Sequence, residues 1–377
     1  MMMISDRVKS TQIPPLVELG QFANSQQDCI SLGQGAPFYK PPPEIFTDLS
    51  AALIQHSIHR YTADPGLLEL RELLTEKLRY DQHISTNINQ IVITPGANQA
   101  FYNILVTITD PGDEIILLTP YYFNHYMACS LINVQAVCVP LSNDLSFNIE
   151  KIKNSISDKT KAIVLVNPGN PTGKIHTLQE IKELIDVAST HNLVIIADET
   201  YEYFVYEGKH HPVGSLTDNV ISISSFSKTF GIPGWRLGYY VATEEIIQAS
   251  LKVQDTIGIC APHSSQYLGI TLLKQRHQLI NEFVNLMKAN YNVAKDLLEE
   301  ISWLQASPSG GAYYLFPKQL TNQITEKLVR ELIVHQGVYI VPGAGFGSDW
   351  QDYCRLSFAN VSEEQLKEAF SRLRSYS

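Results

Sequence analysis

The sequence predicts an α/β fold: a large domain with a mainly parallel β-sheet sandwiched by helices, joined to a smaller α+β domain. Two observations predict the sheet. Short apolar runs recur between residues 90 and 241, and amphipathic helical segments separate them. Such alternation is typical of parallel strands that are buried on both faces. A third observation is length, because 377 residues exceed what one hydrophobic core normally organises.

The expected elements follow from hydrophobic periodicity. In the large domain we expect strands at 90–94, 114–118, 162–166, 193–197, 220–224 and 238–241, and helices at 66–80, 98–108 and 177–190. Thr177 and Glu180 have the spacing of a capping box, which supports the last of these helices. Further on we expect a long helix at 277–300, strands at 313–316, 338–341 and 353–358, a helix near 323–335 and a closing helix.

The domain boundaries are expected near residues 43 and 280. Residues 1–43 are rich in Pro and Gly, and they are interpreted as an irregular arm that completes part of the small domain. Residues 44–280 would form the large domain and residues 281–377 the small C-terminal domain.

Composition argues against several classes of partner. A net charge of −10 disfavours nucleic acid and anionic membranes, which both require a basic face. The N-terminal residues lack the apolar core of a signal peptide, and no apolar run approaches the length of a membrane span. The five cysteines never form a CxxC pair, as is typical of reduced thiols. We therefore expect a cytoplasmic protein without nucleic-acid or membrane partners.

Polar motifs follow several expected strands, at the edge where open parallel sheets bind ligands. The turn at 94–99, Thr-Pro-Gly-Ala-Asn-Gln, leads into a helix whose N-terminal N–H groups suit a phosphate, although ordinary turns look alike. The loop at 167–173, Asn-Pro-Gly-Asn-Pro-Thr-Gly, is stiffened by two prolines and can aim an amide at a ligand.

Two further strand ends carry charge. Asp198 ends one strand, where its carboxylate either faces the crevice or simply caps a helix. Lys228 follows another, between Phe226 and Phe230 and shortly before Arg236. Lysines are usually solvated, but aromatic neighbours would bury this amine, lower its pKa and make it nucleophilic.

In this order the motifs resemble the class I aminotransferases, which are pyridoxal-phosphate enzymes of fold type I. The resemblance runs from Ser31 to about Asn360, and NPGNPTG, ADETY and SSFSKTFGIPGWRLGY are its most specific parts. The shorter motifs GANQA, RYTADPGLLELR, DPGDEIILLTPYY and RLSFAN match in the same order. SLGQGAPFYKPP resembles the glutamine-transaminase, kynurenine, methionine and aromatic aminotransferase branch.

The resemblance implies a role for each matching residue. Lys228 would carry pyridoxal 5′-phosphate as a Schiff base and move the substrate proton, while Asp198 would pair with the pyridine nitrogen. Asn170 and Tyr201 would bond the phenolic oxygen, and Tyr122 would stack on the ring. The phosphate would be held by Ala97, Asn98, Ser225, Arg236 and, from the neighbouring subunit of a homodimer, Tyr61. The substrate α-carboxylate would be held by Arg355, Gly35 and Asn170.

Three functions remain open at this point. The resemblance favours ping-pong transamination between an aromatic or neutral L-amino acid and a 2-oxo acid. A C–S lyase or an ACC-synthase-like lyase could use the same lysine and aspartate. A cofactor-binding regulator without turnover is disfavoured, because an intact Lys228 and Asp198 argue against a dead site and no DNA-binding helix pair fits before residue 30.

Other residues have plainer interpretations. His210–His211 is interpreted as a surface loop and not a metal site. The run from Gly343 to Gly347 lacks the spacing of a dinucleotide fingerprint, and in the resembling family it shapes the active-site wall. We expect several tyrosines to line the pocket, namely Tyr39, Tyr61, Tyr121, Tyr122 and Tyr313.

Overall fold

A computed structural model describes residues 3–13, 15–321, 323 and 325–376. Its α-helices are α1 (Asp6–Ser10), α2 (Pro15–Asn24), α3 (Thr47–Ala52), α4 (Leu68–Asp81), α5 (Ala97–Ile108), α6 (Phe123–Leu131), α7 (Ile149–Asn154), α8 (Leu178–Thr190), α9 (Phe226–Thr229), α10 (Glu244–Gly258), α11 (His263–Lys274), α12 (Arg276–Glu299), α13 (Thr325–Glu331) and α14 (Glu363–Arg374). Among the described residues, no helix is both long and apolar enough to cross a membrane.

The strands are short and spread along the chain. They are β1 (Ile30–Ser31), β2 (Ile91–Thr94), β3 (Glu114–Thr119), β4 (Gln135–Pro140), β5 (Thr160–Val166), β6 (Val194–Asp198), β7 (Val220–Ser225), β8 (Gly238–Val241), β9 (Leu304–Gln305), β10 (Tyr314–Leu315), β11 (Lys318–Gln319), β12 (Val338–Tyr339), β13 (Val341–Pro342) and β14 (Cys354–Ser357). The strands expected from the apolar runs all appear, with ends shifted by a few residues.

A seven-stranded sheet has the order β2-β8-β7-β6-β5-β3-β4. Its pairs from β4 to β7 are parallel, and only β8 runs against both of its neighbours. The expected mainly parallel sheet is thereby confirmed. Because β8 is reversed, its first residue, Gly238, pairs with the last residues of β2 and β7, Thr94 and Ser225. The start of β8 therefore lies at the same sheet edge as the carboxyl ends of the other strands.

Hydrophobic cores cover both faces of this sheet. Alternate strand residues point to opposite faces, so Ile116 and Ile163 belong to one buried cluster, while Ile115 and Val164 belong to the other. Helix α8, which begins with the expected capping box of Thr177, packs its buried face against the first of these clusters. The sheet is thus held rigidly from both sides.

The N-terminal arm is more regular than expected. Residues 1–43 were interpreted as irregular, but α1 and α2 are helical, and Leu19 and Ala23 of α2 are buried. The arm also forms β1, whose Ile30 pairs with Val338 of β12 in parallel. Apolar residues of α2 repeat at helical spacing, and Pro15 is its first residue, a position where proline is compatible with a helix. Met1, Met2 and Pro14 lie outside the described residues.

Several elements depart from the expected pattern. The helix expected near 323–335 consists of α13 followed by a π-helical turn at Leu332–Gln336, and Ile324 lies outside the described residues. The strand expected at 338–341 is divided into β12 and β13. Strand β4 was not expected, although Ala136–Val139 form a short apolar run; it lies at the edge of the sheet and is partly exposed.

Candidate active site

A cavity of about 300 Å³ opens at the sheet edge where β2, β5, β6 and β7 end and β8 begins. It is lined by every sequence-predicted site residue except Tyr61: Gly35, Ala97, Asn98, Tyr122, Asn170, Asp198, Tyr201, Ser225, Lys228, Arg236 and Arg355. Positions that are far apart in the sequence are brought together because parallel strands end at the same edge.

Lys228 lies on α9, the short helix that follows β7. Its Nζ donates a hydrogen bond to the carbonyl of Gly35 at 2.7 Å. Burial, and then the positive charges of Arg355 and Arg236, lower the pKa of this amine from 10.5 to about 8. Phe226 is buried nearby, as the sequence predicted. A larger fraction of this amine is therefore neutral at physiological pH than for an exposed lysine.

Asp198 is a buried carboxylate at the end of β6. Burial alone would raise its pKa, but hydrogen bonds from His125 and Thr200 hold the pKa below its ordinary value. Thr200 donates from its hydroxyl at 2.6 Å and from its N–H at 3.1 Å, and His125 Nε2 lies 3.3 Å from the other oxygen. The carboxylate therefore stays ionised and can pair with a positively charged ligand atom.

An anion cradle forms between β2 and β8. Gly96 has φ +85° and precedes α5, whose first residue is Ala97, so free N–H groups point into the cavity. The Arg236 guanidinium packs directly against Gly96, where any side chain would collide with it. A Cβ on Gly238 would lie 2.8 Å from the carbonyl carbon of Gly96, so this close approach of two backbones requires glycine.

Tyr122 is held by amides on either side of its hydroxyl. The hydroxyl donates to Asn98 Oδ1 at 3.4 Å and accepts from Asn124 Nδ2 at 2.8 Å. The ring lies edge-on to His125, with centroids 5.2 Å apart. Burial raises the pKa of Tyr122 to about 12, so the hydroxyl keeps its proton. The ring is thus fixed as an aromatic wall of the cavity.

Arg355 is a deeply buried cation, only 1% exposed. Its guanidinium donates to Asn170 Oδ1 at 2.9 Å and to the Gly33 carbonyl at 2.5 Å, and it lies over the ring of Tyr314 at 4.4 Å. Within the described part of the chain, no carboxylate forms an ion pair with it, and its Nε lacks a hydrogen-bond partner. A buried cation is stable only when it is paired, so this position favours an anionic ligand.

Some expectations about the tyrosines are wrong. Tyr121 lines a smaller neighbouring cavity and stacks on Tyr126, while Tyr39 and Tyr313 lie behind Lys228 and do not line the main cavity. Tyr61 is 76% exposed and lies outside the cavity of its own chain. The sequence pattern could not distinguish these tyrosines, because each flanks a site motif but only the backbone direction decides which way its ring points.

His210 is also placed differently from the expected surface loop. Its side chain is largely buried, with Nε2 at 3.4 Å from Glu199 and Nδ1 at 3.3 Å from the amide of Asn167. It therefore contacts the base of the 167–173 loop. No cluster of three potential metal ligands occurs in the described ranges. The glycine-rich run forms a 3₁₀ turn at Gly343–Phe346, and Phe346 packs 5.1 Å from Arg355.

Sequence reasoning missed several residues at the site. His125 and Thr200 both contact Asp198, and Leu16, Gln34, Phe123 and Tyr314 line the cavity. Thr200 carried a usable signal, since a Thr two residues after a strand-end Asp can donate to its carboxylate. His125 lies within a helix, where nothing in its neighbourhood marks it as polar and functional.

Comparison with known protein families shows to which family the chain belongs. The family described as "Aminotransferase class I and II" matches residues 27–373. The chain belongs to this aminotransferase family.

Relatives and solved structures agree with the family. The aromatic aminotransferase ISS1 of Arabidopsis thaliana is 33% identical over 382 residues, covering 99% of this chain and 95% of the plant protein. An aspartate aminotransferase of Pyrococcus abyssi is also 33% identical, over 99% of this chain and 97% of its own length. The aromatic aminotransferase structure from Pyrococcus horikoshii OT3 has a TM-score of 0.88 at 31% identity, covering 94% of this chain and 97% of that one. Nothing in these comparisons favours the lyase alternative.

The aminotransferase depends on pyridoxal phosphate, and the donor set of the cavity fits this cofactor. The cradle at Gly96 and Arg236 suits a phosphate, and the ionised Asp198 suits a protonated ring nitrogen. Lys228 offers an amine of lowered pKa to an aldehyde, and Tyr122 offers an aromatic face. Each functional group of the cofactor has a chemically matched group in one cavity.

Proposed function

We propose that this aminotransferase takes an aromatic or uncharged L-amino acid as amino donor and a 2-oxo acid as acceptor. One observation carries the proposal. Among the described residues that line the cavity, the basic side chains are Lys228, Arg236 and Arg355. Two of them face the cofactor and the third suits the α-carboxylate, so the described cavity residues of one chain leave no further cation for a distal carboxylate. Leu16 and Phe123 instead offer apolar surface to a substrate side chain.

The roles of the charged residues follow from their surroundings. Pyridoxal phosphate, when bound, supplies a ring that withdraws the electron pair left at the substrate Cα. Asp198, held ionised, keeps the ring nitrogen protonated. Lys228 would hold the cofactor through Nζ and, when that amine is free, it would move the substrate proton between Cα and C4′. Arg355 binds the α-carboxylate through its unpaired donors and so fixes the position of Cα.

The remaining residues hold the cofactor in place. Tyr122 would offer its ring to one face of the cofactor and exclude water there, while the amide of Asn170 and the hydroxyl of Tyr201 would hold the phenolic oxygen. The phosphate is held by the N–H of Ala97 and the side chains of Asn98, Ser225 and Arg236. Gly35 completes the carboxylate pocket with Asn170 and Arg355. The position of these groups around one cavity supports each assignment.

We further propose a homodimer in which Tyr61 reaches the phosphate of the neighbouring subunit. Its exposure and its distance from the cavity of its own chain support this, since an exposed tyrosine is free to enter a partner. The pairing of β1 with β12 supports an arm (1–43) that joins the small domain (281–377), with the large domain at 44–280. Five free cysteines are compatible with a cytoplasmic location.

The donor preference is tested with a panel of amino acids on the holoenzyme. A donor converts the visible absorbance of the cofactor, and a 2-oxo acid then restores it. We expect kcat/KM for phenylalanine, methionine or glutamine to exceed that for aspartate. If kcat/KM for aspartate instead exceeded all three by about tenfold, which is about 1.4 kcal/mol in transition-state binding, the proposed donor class would be wrong.

A further inference from the structure

We infer that Tyr39 and Tyr313 are positioning residues for Lys228: their hydroxyl groups together hold its main-chain carbonyl and so set the direction of its amine. The inference rests on the proposed attachment of the cofactor to Lys228. Neither tyrosine lines the cavity, and the hydroxyl of each contacts the main-chain carbonyl of the lysine.

The three groups form a compact hydrogen-bonded cluster. The Tyr39 hydroxyl donates to the carbonyl of Lys228, the Tyr313 hydroxyl lies 3.1 Å from the same carbonyl, and the two hydroxyl oxygens are 2.5 Å apart. Each hydroxyl has a single proton. One tyrosine therefore donates to the carbonyl while the other donates to its partner hydroxyl, and the roles are interchangeable.

The carbonyl of Lys228 depends on these donors. Helix α9 is only four residues long, Phe226–Thr229. The carbonyls of Phe226 and Ser227 accept from the N–H groups of Phe230 and Ile232 at 3.0 and 3.2 Å. The N–H of Gly231 approaches the Lys228 carbonyl only to 3.4 Å, which is a long hydrogen bond. The tyrosine hydroxyls therefore supply much of what fixes the orientation of this peptide group, and with it the Cα–Cβ bond of the lysine.

Both hydroxyls are themselves held rigidly. The Tyr39 ring stacks on Phe283 at 4.3 Å, and the Tyr313 ring meets Phe204 edge-on at 4.8 Å. Both tyrosines are buried, and burial raises the pKa of each, so both keep their proton and can donate. Gly231 packs on Tyr39, where a Cβ would lie 2.6 Å from the Tyr39 carbonyl. The arm, the lysine turn and the segment before β10 thus meet at this cluster.

Removing hydroxyls without removing rings tests the inference. Tyr39→Phe, Tyr313→Phe and the double variant keep the aromatic packing, and Tyr206→Phe is the matched control. The Tyr206 hydroxyl is also buried and also donates to a carbonyl, that of Ala312 at 2.7 Å, but it does not contact Lys228. For each holoenzyme one measures the pH midpoint of the visible cofactor absorbance, kcat and KM for the amino acid, and Tm.

The double variant is expected to change the position of the Lys228 amine and not the binding of the substrate carboxylate by Arg355. Freed from its anchor, the lysine changes its position relative to the positive charges of Arg355 and Arg236, so the pH midpoint shifts from the wild-type value. We expect kcat to fall about 10- to 100-fold through misplacement of the amine, with KM nearly unchanged. Each single variant leaves one hydroxyl in reach of the carbonyl, so its effects should have the same direction and be smaller than half of the double effect, but still measurable.

Two outcomes would overturn the inference. The first is a double variant that keeps the wild-type pH midpoint and kcat and differs only by a lower Tm, like that of Tyr206→Phe. The second applies if the double variant does not fold, and it is a wild-type pH midpoint in both single variants. Lys228→Ala in the same titration separates this from the proposed function: if that variant kept the visible band, the attachment site itself would be wrong.

Discussion

The carboxylate of Asp198 lies 3.3 Å from Nε2 of His125, which belongs to the helix behind the cofactor cavity. Thr200 donates to the other carboxylate oxygen at 2.6 Å. His125 also stacks on Phe101 with ring centroids 4.0 Å apart, so its position is fixed. Together these contacts keep a buried carboxylate ionised, which is the condition for pairing with a protonated ring nitrogen.

Asp198→Asn should destabilise the protein at pH 7 but not in acid. The pKa of Asp198 is lower in the folded protein than in the unfolded chain, so its ionisation stabilises the fold above the unfolded pKa of about 3.9. That contribution is lost as the pH falls through the folded pKa. Measured by Tm between pH 3 and 7, the gap between variant and wild type should shrink below about pH 4. A constant gap would contradict this, and exposed Asp218→Asn serves as the control.

Lys228→Ala should abolish the visible absorbance of the bound cofactor while leaving the protein folded. Activity should fall by at least about 10²–10⁴-fold, the usual effect of losing a general base. Absorbance spectra, circular dichroism and peptide mapping after borohydride reduction measure these effects. Lys209→Ala, at an exposed lysine, should behave as wild type. A reduced cofactor found on a peptide without residue 228 would show that the lysine is misassigned.

Capture of pyridoxal phosphate by the apoprotein should accelerate as the pH rises, with a midpoint near 8. Only the neutral amine reacts, and burial followed by the charges of Arg355 and Arg236 lowers the pKa of Lys228 to about 8. Because this pKa is lower than the unfolded value, keeping the lysine charged opposes folding below pH 8, and the penalty fades between 8 and 10.5. In Arg355→Met the midpoint should move up. An unchanged pH midpoint in this variant would mean that the charge of Arg355 does not affect the pKa of the Lys228 amine.

Arg355→Ala should raise KM for both the amino acid and the oxo acid. The same guanidinium binds the α-carboxylate in both half-reactions, and hydrogen bonds to charged groups contribute about 1.5–3 kcal/mol each, so we expect about a 10- to 100-fold increase. Arg355→Lys should recover only part of it, since an ammonium cannot bind bidentately. Steady-state kinetics with each substrate varied in turn measure this, with Arg79→Ala, at an exposed arginine, as the control. Equal KM values in Arg355→Ala and wild type would show that the substrate α-carboxylate binds at another residue.

Gly238→Ala should weaken binding of the cofactor. An added Cβ would lie 2.8 Å from the Gly96 carbonyl carbon and 2.9 Å from Ala97 N, so the phosphate turn must shift. We expect Kd for pyridoxal phosphate to rise by about tenfold or more, because anion donors lose their alignment. Gly234→Ala is the matched control, since nothing lies within 4 Å of a Cβ there. Equal affinities of the two variants would show that the cradle tolerates the displacement.

The sheet and most of the cavity were predictable because strand ends could be located. Buried parallel strands leave unbroken apolar runs, and each run here stops at a residue of chemical interest, such as Thr94 or Asp198. Arg236 lies at the site because β8, which begins two residues later, runs antiparallel to its neighbours, and the apolar runs in the sequence do not reveal this direction. The roles of the site residues stay predictions until the variants above are made.

The features that the sequence did not predict depend on the direction in which side chains point, which hydrophobic periodicity does not reveal. Tyr39 and Tyr313 stand beside site motifs but point behind Lys228, and His125 reaches Asp198 from inside a helix. The edge strand β4 contains the apolar run Ala136–Val139, but it is paired on one side only, and the sequence does not show which strand it pairs with. Each miss concerns a side chain or strand whose environment is set by distant parts of the chain.

The pairing of β1 with β12 has a consequence for how the enzyme matures during translation. Residues 30 and 31 meet their partners at 338 and 339, and the arm carbonyl of Gly33 bonds Arg355. The seven-stranded sheet ends at residue 241 and can therefore assemble while the ribosome is still at work. The carboxylate site at Arg355 cannot, since Gly33 of the arm must wait until Arg355 has been synthesised. A nascent chain would thus acquire its cofactor cradle well before it could recognise an amino acid.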